Sequence, residues 1–284
     1  MKASANLGIS RMSIRLASLV LATLLISVVP SAVHGSVAGP ITVTSDTTLT
    51  DDVVAATDGI IIGADGITLN CNGHGVVGSG GSGSGILLDG RTGVTVEDCI
   101  VSNFFLGFHL ISSSGNTLKH NQASGNQGGF FLDHSSGNTL NGNTANGNIG
   151  DGFFIVLSSG NTLKSNTANG NGMDGFDFPF SSGNTLIENT ANTNTLKGFV
   201  LVGATGNILK GDTADGNTFG FSFQASSNDN TLIKNTADGN SGVGFFLDGS
   251  TGNLLIKNEA CSNGVDAGPI SSANTFLKDS FCVT

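Results

Sequence analysis

Hydrophobic and polar positions alternate over short stretches of this chain, and the stretches themselves recur. A G-F-x-hydrophobic run appears at Phe108, Phe130, Phe153, Phe176, Phe199, Phe221 and Phe245, each followed two residues later by Leu110, Leu132, Ile155, Phe178, Leu201, Phe223 or Leu247. Alternation at period two over so few residues predicts short strands with one buried face. A second frame, S-S-G-N-T-L in its fullest form, places its Asn at 116, 138, 161, 184, 207, 230, 253 and 274, a step of 21 to 23 residues. Two residues after each Asn stands a Leu, from Leu118 to Leu255, with Phe276 in the last frame. A small residue follows in a third column, Ala123, Ala145, Ala168, Ala191, Ala214, Ala237 and Ala260. Two polar columns complete the unit. One runs Asn121, Asn143, Asn166, Asn189, Asp212, Asn235 and Asn258; the other lies five residues further on, from Asn126 to Asn263.

A fixed period in this range means stacked supersecondary units. Each unit holds two or three strand-sized runs separated by Gly and Asn, which accept turn conformations, and no run is long enough for a helix. One turn of about 22 residues with parallel strands ~4.8 Å apart is the geometry of a right-handed β-helix. The predicted fold is therefore all-β, a right-handed parallel β-helix of roughly nine to ten coils. Like side chains then lie above one another, so that Phe stacks on Phe and Asn bonds to Asn.

From about Asp65 onward the chain resembles the right-handed parallel β-helix repeat proteins of the pectate-lyase-like superfamily. The likeness includes I-T-L-N-C-N-G-H at Ile67 to His74 and V-T-V-E-D-C at Val94 to Cys99. The resemblance implies the fold; it does not imply one activity, because these coils carry lyases, hydrolases, epimerases and proteins with no known chemistry.

The first 35 residues are of another kind. Lys2, Arg11 and Arg15 precede an apolar run from Leu16 to Val29, and small residues follow near Val33-His34-Gly35. That order predicts a secretory signal peptide over 1–35 and not a membrane span. Residues 36–66 read as N-terminal cap strands and 67–284 as the β-helix. Removing the leader takes 11 basic residues to 8 and leaves 21 acidic ones, a net charge of −13. Such a surface repels nucleic acid and anionic lipid. The expected place is outside the cytoplasm: secreted, periplasmic or on the cell surface. Four cysteines in an exported chain predict two disulfides. Cys261 and Cys282 fall in one column of successive coils, and Cys71 and Cys99 are 28 residues apart, one turn plus the Gly- and Ser-rich insertion from Gly78 to Gly85.

Because the structural columns are so regular, functional residues are expected as departures from them on an outward face. The outward position of the G-F-x-hydrophobic strand reads His109, Phe131, Phe154, Asp177, Val200, Ser222 and Phe246, and two residues on it reads Ile111, Asp133, Val156, Pro179, Val202, Gln224 and Asp248. Rings to stack on and acids to hold hydroxyls suit a sugar chain; Phe131, Phe154, Phe246 and Asp248 are the binding candidates. A second departure, at the start of the same strand, is Asp151, Asp174 and Lys197. Carboxylates in register on adjacent coils can share a cation or raise one another's proton affinity. The resemblance implies a use for them, since a pectate-lyase-like mechanism needs cation-holding carboxylates, here Asp151 and Asp174 with calcium, and a nearby base such as Lys197. A third set is His109 with Asp133 and Asp177, a His and carboxylates able to exchange protons.

The residues thus predict an exported acidic protein that binds or presents a surface to a polysaccharide or a component of the cell envelope, with no identifiable catalytic centre. The alternatives are a polysaccharide lyase or glycoside hydrolase, for which Asp151, Asp174, Lys197, His109, Asp133 and Asp177 are the catalytic candidates, and a structural or adhesive surface protein.

Overall fold

The computed structural model describes residues 25–26, 31–33, 37–270 and 273–282; most of the segment read as a signal peptide lies outside them. The chain winds into a three-sided parallel solenoid with no helix among the described residues. Twelve strands form the first side and twelve the second, each strand bonded to those one coil before and after it. The third side is a six-stranded sheet near the N-terminus and a three-stranded one near the C-terminus. Between them, single parallel bridges join Thr144, Thr167, Thr190, Thr213 and Thr236. The strands Ile41–Val43, Thr47–Leu49 and Val53–Ala55 already lie in these three sheets, so the coils begin ahead of residue 67.

The G-F-x-hydrophobic run forms the first side. Its Phe rings stack through the core from Phe108 to Phe245, with centroids between 4.4 and 4.9 Å and planes within 7° of parallel. Strand spacing dictates this, since rings on residues in register sit one rung apart. The Asn-Thr-Leu frame forms the second side and buries its Leu; the Ala column buries on the third. The Gly before each Phe lets the coils close on the Ala column. At Gly152 an added Cβ would stand 2.8 Å from both the Ala168 Cβ and the Gly175 carbonyl oxygen.

The corners carry the polar columns. At each rung the side-chain oxygen of a buried Asn accepts the backbone N–H and the amide of the Asn one coil earlier, and its own amide donates to the next Asn and to a carbonyl of the previous coil. Asn143 shows the pattern: it accepts from Asn121 N at 3.0 Å and Asn121 Nδ2 at 3.1 Å, and donates to Leu118 O at 2.9 Å and Asn166 Oδ1 at 3.0 Å. Every polar atom of the side chain is thereby satisfied out of water, which is why Asn is tolerated at full burial. Both predicted disulfides are present: Cys71 with Cys99, Cα atoms 4.7 Å apart, and Cys261 with Cys282, 4.9 Å apart.

Candidate functional site

The site is assembled on the outer face of the first side. Strands Leu106–Ile111, Gly128–Asp133, Phe153–Val156 and Phe176–Pro179 pair in parallel register, His109 with Phe131, Phe131 with Phe154, Phe154 with Asp177. Phe131 and Phe154 stack at 5.1 Å with planes 13° apart, and His109 meets Phe131 edge-on at 5.2 Å. These two Phe line a pocket of about 210 Å³ whose rim includes Phe105 and Met173 and whose wall includes Asp151. Phe105 and Met173 are 52% and 46% exposed, so the rim is apolar and open to solvent. Along the opposite margin of the same sheet, Leu157 and Phe180 are exposed at φ 49° and 52°. The same corner is left-handed in other coils, at Ser112, His134, Gly203 and Ala225, so the conformation belongs to the turn of the solenoid.

At the C-terminal end of the aromatic floor stands the acid cluster. Asp151 Oδ1 accepts the Asp174 backbone N–H at 2.8 Å, Asp174 Oδ1 accepts that of Lys197 at 2.8 Å, and Lys197 Nζ lies 3.7 Å from Asp174 Oδ2. Asp177 joins this group on the next outward position, and its Oδ1 is buried with no hydrogen-bond partner among the described residues. Burial raises all three carboxyls, because a charged form loses its hydration. It pushes Asp174 up to about 6 against the opposing pull of Lys197, and Asp177 up to about 7 with help from the charges of Asp174 and Asp151. Asp151 is raised by burial too. The cluster therefore holds protons into the neutral range and can give or take one there.

The predicted residues divide by place. Asp151, Asp174, Asp177 and Lys197 come together, and Phe131 and Phe154 adjoin them. His109 and Asp133 lie on the N-terminal side of the Phe pair, away from Asp177. His109 bonds to Ser84 Oγ at 3.2 Å, and burial holds its imidazole below the usual value, which keeps the ring neutral. Asp133 is engaged by His134 at 2.6 Å. Phe246 contacts Phe219 edge-on at 5.4 Å, and Asp248 is exposed; neither meets the Phe131–Phe154 floor, because three coils intervene. Within those coils the face is not open as the alternation predicts. Val200 is 2% and Ser222 0% exposed, and Gln224 Nε2 folds back onto Ser222 Oγ at 2.8 Å.

Calcium between Asp151 and Asp174 is a poor fit. One oxygen of each already holds a backbone N–H, the ammonium of Lys197 faces a third, and a calcium ion takes about 6–8 oxygen ligands. Among the described residues no three His, Cys, Asp or Glu side chains gather as a metal site would need.

Sequence reasoning picks out Asp151, Asp174 and Lys197 but groups Asp177 with His109 and Asp133, whereas the strand register brings Asp177 to the acids.

The profile described as "Right handed beta helix region" matches residues 58–214 and 158–279. No curated protein sequence matches the chain. Among solved structures, the periplasmic alginate epimerase AlgG is similar at 16% identity and a TM-score of 0.61, over 84% of this chain and 73% of that one. Pectate lyase Pel9A is similar at 16% identity and 0.55, over 86% and 67%. The DFA-IIIase of Arthrobacter chlorophenolicus A6, solved in complex with GF2, is similar at 12% identity and 0.52, over 84% and 81%. At these identities the likeness is one of fold.

Proposed function

The chain belongs to the right-handed β-helix family, and on that premise we propose that it binds a polysaccharide along the outer face of its first sheet. The observation that carries the reading is the half-buried, stacked Phe131–Phe154 pair in a pocket walled by Asp151. Stacked one rung apart, the two rings face each other and turn their edges outward as an apolar strip comparable in length to consecutive sugar rings. The carboxyls at its end accept hydroxyl hydrogens, and those that keep their protons can also donate. The structures it resembles include an alginate epimerase and a pectate lyase, proteins named for carbohydrate substrates. Two disulfides support a place outside the reducing cytoplasm. Export with cleavage near Gly35 would leave Ile41–Val43 and Thr47–Leu49 to head the first two sheets. Among the described residues no helix is long and apolar enough to cross a membrane.

Retardation in gels containing dissolved polysaccharides tests the proposal. The wild-type protein is expected to be slowed by at least one neutral glycan, and the Phe131→Ala, Phe154→Ala double variant to bind it about tenfold more weakly, given ~0.5–1.5 kcal/mol for each ring contact. Equal retardation of the two proteins overturns the assignment of the face.

A second reading, an enzyme that cleaves or rearranges the bound chain, is favoured by one observation: carboxyls at about 6 and about 7 stand beside Lys197. An acid that titrates near neutrality can protonate a leaving oxygen, and its conjugate base can remove a proton. Asp177→Asn is expected to abolish turnover while leaving retardation in gels unchanged. New ultraviolet absorbance from an unsaturated sugar, or new reducing ends, would report the turnover. Product formed equally by the variant removes Asp177 from the chemistry.

A further inference from the structure

The aromatic face does not account for a second surface on the far side of the solenoid. In three successive coils the residue that follows the second-sheet strand is a lysine: Lys234, Lys257 and Lys278. Their register is fixed by the strands they end, since Ile233 pairs with Ile256 and Ile256 with Leu277. Backbone bonds confirm it, with Lys234 N on Ile256 O at 2.9 Å and Lys257 N on Leu277 O at 3.0 Å. All three are exposed, and no carboxylate makes an ion pair with any of them among the described residues. Three like charges at a rung spacing of ~4.8 Å repel one another.

The backbone makes the choice of residue more costly. Lys234, Lys257 and Lys278 sit at φ 54°, 54° and 60°, a region where Gly is unstrained and a long side chain is not. At the same corner other coils hold Gly142 and Gly211, but also Asp98, His120, Ser165 and Glu188 at φ between 52° and 56°. A chain with only 11 Lys and Arg and a net charge of −10 thus places three lysines in one self-repelling column. Against that column lies a pocket of about 260 Å³, lined by Lys234, Lys257, Asn235, Thr236 and Glu259. The left-handed φ belongs to the corner, whereas three unpaired like charges in register are particular to this column, and a local conflict of that kind marks function more than packing.

We infer that Lys234, Lys257 and Lys278 form a ladder for a linear acidic polysaccharide lying along the solenoid axis, one carboxylate to each lysine. A polymer of uronate sugars carries one carboxylate per ring, a spacing comparable to one rung. Each ammonium offers three donors, and the Thr236 hydroxyl is at hand in the pocket. Glu259 on the third side limits how far the chain can swing across that corner. No aromatic side chain borders the pocket, so the stacking platform that single-stranded nucleic acid uses is missing from its lining.

The test uses the full protein with polygalacturonate and with its methyl ester, the same backbone without the charge. Retention on polygalacturonate is expected at low salt and is lost as ionic strength rises, because exposed pairs are screened. The triple variant Lys234→Gln, Lys257→Gln, Lys278→Gln is expected to bind about tenfold more weakly, from three exposed contacts of ~0.2–1 kcal/mol each. Lys257→Gly serves as the second variant: it relaxes the corner, so it should melt no lower than the parent yet still lose affinity. The Phe131→Ala, Phe154→Ala protein should be retained on polygalacturonate as well as the parent, which separates this site from the aromatic face. Retention of the methyl ester equal to that of the acid, retention unchanged in the triple variant, or equal binding to a single-stranded oligonucleotide overturns the inference.

Discussion

Replacing Asn166 by Leu is expected to destabilise the protein by about 3–6 kcal/mol, read as the shift in a urea denaturation midpoint at constant slope. Asn166 is 0% exposed. Its Oδ1 accepts from Asn143 N at 2.9 Å and Asn143 Nδ2 at 3.0 Å, and its Nδ2 donates to Leu140 O at 2.9 Å and Asn189 Oδ1 at 3.0 Å. Leu has the same branched outline and is larger, so the change leaves no cavity and adds some overpacking to the loss of the bonds. It removes the partners of two donors and of a carbonyl, none of which water can reach. An unmade bond to a buried group costs about 1–3 kcal/mol. The gain from the extra apolar surface recovers only part of that. A loss below about 1 kcal/mol would mean that the ladder is ornamental and that the Phe and Leu columns hold the coils alone.

Asp212→Asn is expected to have the opposite sign. Asp212 stands in the same column, 0% exposed, and its Oδ1 accepts Asn189 N at 2.7 Å and Asn189 Nδ2 at 2.9 Å. Its Oδ2 occupies the place where every neighbouring Asn holds an amide donor, and it has no partner among the described residues. There a carboxylate would face lone pairs, while a carboxylic acid can donate its proton. Burial accordingly pushes Asp212 up to about 7. The folded pKa lies above the unfolded one, near 4, so the acid's contribution is fully present below pH 4 and is lost as pH rises through 7. The Asn variant restores the ladder without a titrating group. It should be more stable than the parent by about 2–4 kcal/mol at pH 8, and the difference should shrink to within about 1 kcal/mol at pH 4. The other raised acids, Asp151, Asp174, Asp177 and Asp215, titrate in both proteins and cancel in the difference. Paired denaturation curves across that range supply the check; a difference independent of pH would show that Asp212 is charged throughout.

Much of this fold is legible in the residues themselves, for a physical reason. In a solenoid every coil meets the same neighbours, so each buried position is chosen under the same constraint and repeats: Phe over Phe, Asn over Asn, Cys261 over Cys282. The site is less legible because outward positions answer to no such constraint. Alternation gives the direction of a side chain but not what leans over it, which is why Val200 and Ser222 prove buried although the pattern points them outward. Asp151, Asp174 and Lys197 stand out as departures from their column, and their union with Asp177 needed the register of adjacent strands. The lysine column escapes a reading by hydrophobic frames altogether. Its corner is filled by Asp, Gly, His, Ser, Glu or Lys in different coils, and what unites them is a positive φ that no composition reveals.

The most direct measurement is the crystal structure of the protein with the neutral oligosaccharide that retards it best in gels. Sugar rings are predicted in van der Waals contact with Phe131 and Phe154, with a hydroxyl or glycosidic oxygen within hydrogen-bond reach of Asp151 or Asp177. Oligosaccharide bound on the second or third side of the solenoid, with the Phe131–Phe154 floor bare, would contradict it.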